Sequence, residues 1–238
     1  MKTNEKLRGI FPAFYACYDD DGEISPARVR ALATHLRRAG VDGLYVGGSS
    51  GECIYQTVPE RKLVLENVME AVGGDLPVIA HIACNGVSES QMLAAHAQKL
   101  GVCAIAAIPP IYFHLPEAAI ADYWNRISDA APGMPLILYN IPQLAGVSLT
   151  PSLLERMLKN ANVAGVKNSS MATMDIQLWK TIGGEDFTVF NGPDEQLASG
   201  LAAGANGGIG GTYGAMPRLY LKLYERFTAG DIDGARAI

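Results

Sequence analysis

The feature that most constrains this chain is an alternation. Strand-like apolar runs and segments of helical period follow one another eight times without a break. The apolar runs are 9–18, 43–50, 77–84, 103–110, 135–142, 163–170, 187–194 and 207–214. Between and after them lie helical patterns at 25–39, 59–72, 88–100, 116–130, 150–159, 171–182, 195–203 and 217–228. Strands that alternate with helices form parallel sheets buried on both faces, which is why each run is continuously apolar rather than alternating. Ser25-Pro26 and Thr150-Pro151 read as helix starts, a capping hydroxyl before Pro at the first helical position. Gly40, Gly101 and Gly183 follow helices, where a left-handed residue is often needed.

Eight such units predict a single α/β domain, a (β/α)8 TIM barrel. The other architecture to weigh is a doubly wound open sheet, whose dinucleotide form requires GxGxxG after the first strand. Here the first run leads instead into DDDGEIS, so the closed barrel is expected. After the last helix, AGDIDGARAI reads as the opening of another helix. The expected division is therefore a catalytic barrel over 1–230 and, over 231–238, the start of a C-terminal helical region otherwise absent from this chain.

The 238 residues are 49% hydrophobic, enough for one large core. A net charge of −5 with no basic block argues against a nucleic-acid surface. The opening MKTNEKLRGI is polar, and the short apolar run after it meets Asp19, Asp20 and Asp21. Neither a signal segment nor a membrane span is expected, and the expected location is cytoplasmic. Cys17, Cys53, Cys84 and Cys103 lie far apart without CxxC spacing and read as buried free thiols, suited to a reducing compartment.

In barrels of this kind chemistry gathers at the C-terminal ends of the strands. The second run ends in GGSSGE, whose amides and hydroxyls at Ser49, Ser50 and Gly51 suit a carboxylate or phosphate, or form a plain turn. The sixth reads VAGVKNSS. There Lys167 follows small and apolar residues and should point into the barrel mouth, where desolvation favours the neutral amine, the form that attacks a carbonyl. A solvated tip or an ion-pair partner is the plainer alternative. The fifth run ends in YNIP, so Tyr139 either serves as a proton donor and acceptor or simply packs. NGPDE closes the seventh and sets Asp194 and Glu195 on the rim, as helix-start carboxylates or as ligands of a polyhydroxylated substrate. His35, His81, His96 and His114 form no HxH or HxxxH pair, so no metal site is expected. A P-loop, a GxSxG elbow and a dinucleotide fingerprint are also missing.

Together, GVDGLYVGGSSGE, IAH with SES, YNIP, GVKNSS, NGPDE and GGIGGTYG resemble, in order and spacing, the N-acetylneuraminate lyase / dihydrodipicolinate synthase superfamily. DGLYVGGSSGE and YNIPQLAGVSLT are most similar to the lyase branch, and Leu144 stands where the synthases commonly carry arginine. The resemblance implies a pyruvate-dependent class I aldolase acting on a 2-keto acid, with no cofactor beyond a covalent Schiff base on Lys167. It implies that Tyr139 shuttles a proton and that Ser49, Ser50 and Gly51 hold the pyruvyl carboxylate. Tyr112 would lie near the site at a subunit contact of a homotetramer built from dimers. Gly192, Asp194, Glu195, Ser169 and Gly211 would hold the sugar-derived end, Gly211 standing where the lyases commonly have serine. Open alternatives are dihydrodipicolinate synthesis, cleavage of a 2-keto-3-deoxy sugar acid, and a non-catalytic keto-acid-binding barrel.

Overall fold

Hydroxyl side chains set where several helices begin. In the computed structural model, which describes residues 6–238, Ser25 caps the helix Pro26–Ala39 by accepting from the Arg28 N–H. Thr57 and Glu60 form a reciprocal capping box at the head of Val58–Val72, and Thr150 caps Pro151–Met157 through the Leu153 N–H. Gly40 and Gly101 end their helices in the left-handed region, as expected. After the sixth strand unit's helix the prediction is off by one. Gly183 closes the helix Met174–Gly183 and packs on Phe187, and the left-handed residue is Gly184.

The strands are β1 (Gly9–Pro12), β2 (Leu44–Val46), β3 (Val78–His81), β4 (Ala104–Ala107), β5 (Leu136–Asn140), β6 (Val163–Asn168), β7 (Thr188–Asn191) and β8 (Gly207–Gly210). All pair in parallel, in the order β1-β8-β7-β6-β5-β4-β3-β2. The seam between β1 and β2 is closed by a parallel bridge from Ala13 to Tyr45 and by the Phe14 N–H donating to the Tyr45 carbonyl at 2.8 Å. The fold is a (β/α)8 TIM barrel. Every predicted run extends past its strand at the C-terminal end, into the turn that leads to the next helix.

Two layers of core hold the barrel. Outside the strands, Leu36, Trp124, Leu154 and Trp179 belong to the large cluster beneath the helices. Inside, Phe11 and Phe190 meet edge to face at 5.3 Å, with Ile79, Ile137 and Ile209 in the same cluster. The helix predicted over 171–182 starts only at Met174, because Ser170 donates to Asp175 and holds 171–173 as a loop. The one predicted from 195 opens as a tight 3-10 turn, Asp194–Gln196, before the helix Leu197–Ala202. A short helix, Pro142–Ala145, was not anticipated and carries the exposed Leu144. Beyond Pro217–Thr228, Ile232–Arg236 forms one more short helix whose Ala235 packs with Tyr220 and Leu223. The four cysteines are free but only half-buried. Burial pushes the Cys103 thiol up to about 12. Among the described residues no helix is long and apolar enough to cross a membrane.

Candidate active site

Tyr139 and Lys167 are direct partners in the β5–β6 register, so both side chains leave the sheet on the same face. That face is the barrel interior. Lys167 is only 4% exposed, and its Nζ lies 4.1 Å from the centroid of the Tyr139 ring and 4.2 Å from that of Tyr45. Tyr45 and Tyr139 stand edge to face at 6.0 Å, with the amine against both rings. Among the described residues no carboxylate pairs with the Lys167 amine. Ring faces attract a desolvated cation, but much less strongly than a buried ion pair would. The site therefore favours an anionic partner beside the lysine.

His81 packs behind both rings. Its ring lies 6.0 Å from Tyr139 and 6.1 Å from Tyr45. Burial, then the neighbouring charge of Arg61, drives its pKa well below the usual histidine value, so the ring is neutral at neutral pH. Nδ1 lies 2.8 Å from the Gly47 carbonyl, which can only accept, so Nδ1 carries the proton. Nε2 is then left to accept from the Ile108 N–H at 3.4 Å.

The GGSSGE turn follows β2. Gly47 is left-handed at φ 74, and Ser49–Gly51 wind into a single 3-10 turn headed by Gly48. The Gly51 and Glu52 N–H groups bond within the turn, to the Gly48 and Ser49 carbonyls at 3.0 Å each. Those of Ser49 and Ser50 sit in its first positions, where donors have no partner inside the turn and are available to an anion. Ser49 is exposed, Ser50 half-buried and Gly51 buried.

The opposite rim is tightly interlocked. The Ser169 N–H donates to the Asn140 carbonyl at 2.7 Å, and the Gly192 N–H to that of Asn168 at 2.8 Å. Gly192 abuts Ser169 so closely that a Cβ there would lie 2.8 Å from both the Asn168 oxygen and the Ser169 Cα. Asp194 Oδ2 accepts from the Thr212 N–H at 2.6 Å and the Thr212 hydroxyl at 2.7 Å. Its Oδ1 is buried against Gly210 without a partner. Glu195 is exposed beside it. A Cβ on Gly211 would stand 3.2 Å from Ser50 Oγ and 3.9 Å from Asp194 Oδ2, so the β2 turn and the β7 and β8 ends meet at this glycine. Tyr15 fixes the same corner by donating to the Gly211 carbonyl at 2.5 Å.

These contacts link Lys167, Tyr139, Ser50, Ser169, Gly192, Asp194 and Gly211 around one mouth. Tyr112 is not brought there. It holds a left-handed backbone at φ 86, is 84% exposed and stacks edge to face on Phe113. Tyr45, His81, Arg61, Thr212 and Tyr15 shape the site without having been singled out as site residues. Tyr45 and His81 fall on the inward-facing set of their strands, which an unbroken apolar run does not reveal.

A model of the dihydrodipicolinate synthetase family matches residues 6–238. The chain belongs to the dihydrodipicolinate synthetase family. Among members of this family, the N-acetylneuraminate lyase of Mediterraneibacter gnavus is 61% identical over all 238 residues, which cover 76% of that protein. The Escherichia coli K12 N-acetylneuraminate lyase is 38% identical over 240 residues, with all of this chain and 79% of the relative covered. Of solved structures, the wild-type sialic acid aldolase of Ruminococcus gnavus superposes with a TM-score of 0.96 at 61% identity, covering 98% of this chain and 77% of that one. A prophage protein of the dihydrodipicolinic acid synthase family from E. coli K12, in complex with pyruvate, superposes with a TM-score of 0.92 at 28% identity, covering 97% and 78%.

Proposed function

We propose that this protein is a class I aldolase that cleaves N-acetylneuraminate, or a close 2-keto sugar acid, to pyruvate and an aldehyde through a Schiff base on Lys167. The observation that carries the reading is the Lys167 amine, buried in the barrel mouth between two tyrosine faces with no carboxylate partner. The names of the relatives support it, and a catalytic-lysine mutant of the R. gnavus aldolase superposes with a TM-score of 0.97.

The chemistry follows from the placement of the groups. The free amine of Lys167 attacks C2 of the keto acid, and the carbonyl oxygen, taking one proton from the amine and one from the Tyr139 hydroxyl, leaves as water to give an iminium and a Tyr139 phenolate. The Tyr139 phenolate then takes the C4 hydroxyl proton, the C3–C4 bond breaks, and its electron pair moves into a C2–C3 enamine that neutralises the iminium. The aldehyde departs, which is N-acetylmannosamine when the substrate is N-acetylneuraminate. Tyr139 passes that proton to C3, and water hydrolyses the iminium to release pyruvate and free Lys167, returning the proton to Tyr139. Ser49, Ser50 and Gly51 hold the carboxylate in register through both steps. Ser169, Gly192, Asp194 and Glu195 hold the polyol end. Neither a metal nor an organic cofactor takes part in this scheme.

Gly211 favours a second reading of the aldehyde half. With no hydroxyl at this corner, a shorter 2-keto-3-deoxy sugar acid would lose less there than N-acetylneuraminate. Comparing kcat/KM for N-acetylneuraminate, for 2-keto-3-deoxygluconate, and for pyruvate with aspartate semialdehyde decides between these readings. Preference for either of the last two rejects the lyase assignment. The exposed pair Tyr112 and Phe113 supports the further reading that a partner subunit covers this loop in a homotetramer, placing Tyr112 at a neighbour's site. We also assign the enzyme to the cytoplasm, on the strength of its half-buried free cysteines.

A further inference from the structure

Behind the GGSSGE turn lies a charge that the proposed reaction does not use. Arg61, on the helix Val58–Val72, is 5% exposed. Its Nη1 donates to the Ala83 carbonyl and its Nη2 to the His81 carbonyl, each at 2.7 Å. Nε is buried without a partner, and among the described residues no carboxylate forms an ion pair with this guanidinium. Glu89 lines the same cavity, of about 240 Å³, but is exposed and unpaired with Arg61. A buried cation without a counter-ion is costly, and such a charge raises the potential around it.

The contacts of Arg61 lead to the turn. His81, whose carbonyl Arg61 holds, donates from Nδ1 to the Gly47 carbonyl at 2.8 Å. The Gly47 backbone passes so close that a Cβ there would lie 3.2 Å from the His81 oxygen and 3.9 Å from Arg61 Nη2. A planar trans peptide directs its N–H opposite its C=O. Holding the Gly47 carbonyl against His81 therefore turns the Gly48 N–H away from the ring and fixes the start of the 3-10 turn that presents the Ser49 and Ser50 donors.

We propose that Arg61 and His81 are positioning residues for the substrate carboxylate: His81 locks the Gly47 peptide, while Arg61 anchors His81 and sets an unneutralised positive charge behind the turn. Neither touches substrate. The inference rests on the carboxylate being bound at GGSSGE, as in the reading above.

Its test compares an anionic probe, pyruvate, with a neutral one, methyl pyruvate, each trapped on Lys167 by borohydride. In Arg61→Gln the pyruvate half-saturation should rise roughly tenfold, the scale of one charge interaction partly screened near a surface. It should largely recover in Arg61→Lys, which keeps the charge. Trapping of methyl pyruvate should stay within about twofold of the parent, since one carboxylate contact accounts for the difference. Equal loss of both probes, or no loss of either, would overturn the inference. Should Arg61→Gln fail to fold, His81→Asn against His81→Phe asks the same question. Asn can supply an amide N–H near the Nδ1 position and should retain pyruvate affinity, and Phe should lose it. Parallel behaviour of the two would again overturn the inference. Parent protein that gives no Lys167 adduct refutes the Schiff-base reading itself and the inference with it, a failure read without any variant.

Discussion

Two glycines on one rim should respond in opposite ways to a side chain. At Gly192 a Cβ would sit 2.8 Å from the Asn168 oxygen and 2.8 Å from the Ser169 Cα, and closer still to Ser169 Oγ. The hydroxyl can rotate away, but the two backbone atoms cannot. Restoring ordinary contact requires about 0.6 Å of movement in a close-packed region. That movement falls on the end of β6, one and two residues beyond Lys167. Overpacking of this kind costs roughly 1–3 kcal/mol, and in a chain of this size each kcal/mol lowers Tm by about 2–4 °C. A misplacement near 1 Å at a reacting group costs on the order of 100-fold in rate. Gly192→Ala should therefore lower both Tm and kcat, read by calorimetry and by coupled assay of pyruvate release. Gly211 has an ordinary helical backbone at φ −70, and its nearest neighbour would be Ser50 Oγ at 3.2 Å. Gly211→Ser should change stability by no more than about 0.5 kcal/mol. Its new hydroxyl lies between Ser50 and Asp194 and should raise kcat/KM for N-acetylneuraminate over 2-keto-3-deoxygluconate by roughly threefold to tenfold, the worth of one hydrogen bond. If Gly192→Ala matches the parent in Tm and kcat, the steric account of this rim is wrong.

The Tyr45 hydroxyl is buried without a partner, so Tyr45→Phe should fold and gain roughly 1 kcal/mol in denaturant unfolding, whereas Tyr45→Ala should lose about 3–5 kcal/mol through the cavity it leaves. A destabilised Tyr45→Phe would mean that the hydroxyl has a partner. Because the folded-state pKa of His81 is depressed below 6.5, the unfolded chain binds that proton first as pH falls. Its contribution to stability is therefore complete above pH 6.5 and declines below, by at most about 1.4 kcal/mol per pH unit. Urea midpoints at pH 7, 6 and 5 should fall along that slope in the parent and less steeply in His81→Asn; identical slopes would contradict the buried neutral ring. Thr57→Ala removes one half of the capping box and should cost about 1 kcal/mol by the same assay.

The barrel was legible because a parallel strand buried on both faces needs an unbroken apolar run, and eight such runs between helical patterns leave few alternatives. The same continuity hid the inside of the barrel. An unbroken run has no alternation, so nothing local separates Tyr45, which faces Lys167, from Leu44 and Val46, which face the helices. Lys167 and Tyr139 were readable because a polar group ending an apolar strand has one useful direction to face. Arg61 was not, since a single arginine in a helix of mixed polarity looks like a solvated residue, and only the fold brings it under His81 and Ala83. Asp194 was expected on the rim, but its bonds to Thr212 depend on a contact eighteen residues away. The left-handed residue is Gly184 rather than Gly183, because Gly183 is still in the helix, packed where a Cβ would meet the Phe187 ring.

The central claim is that Lys167 forms the covalent bond to substrate. Incubating the intact chain with pyruvate, reducing with borohydride and mapping the product by peptide mass spectrometry tests it most directly. The account predicts one reduced pyruvyl adduct, on Lys167, absent from Lys167→Ala. An unmodified chain, or an adduct on another lysine such as Lys180, would contradict it.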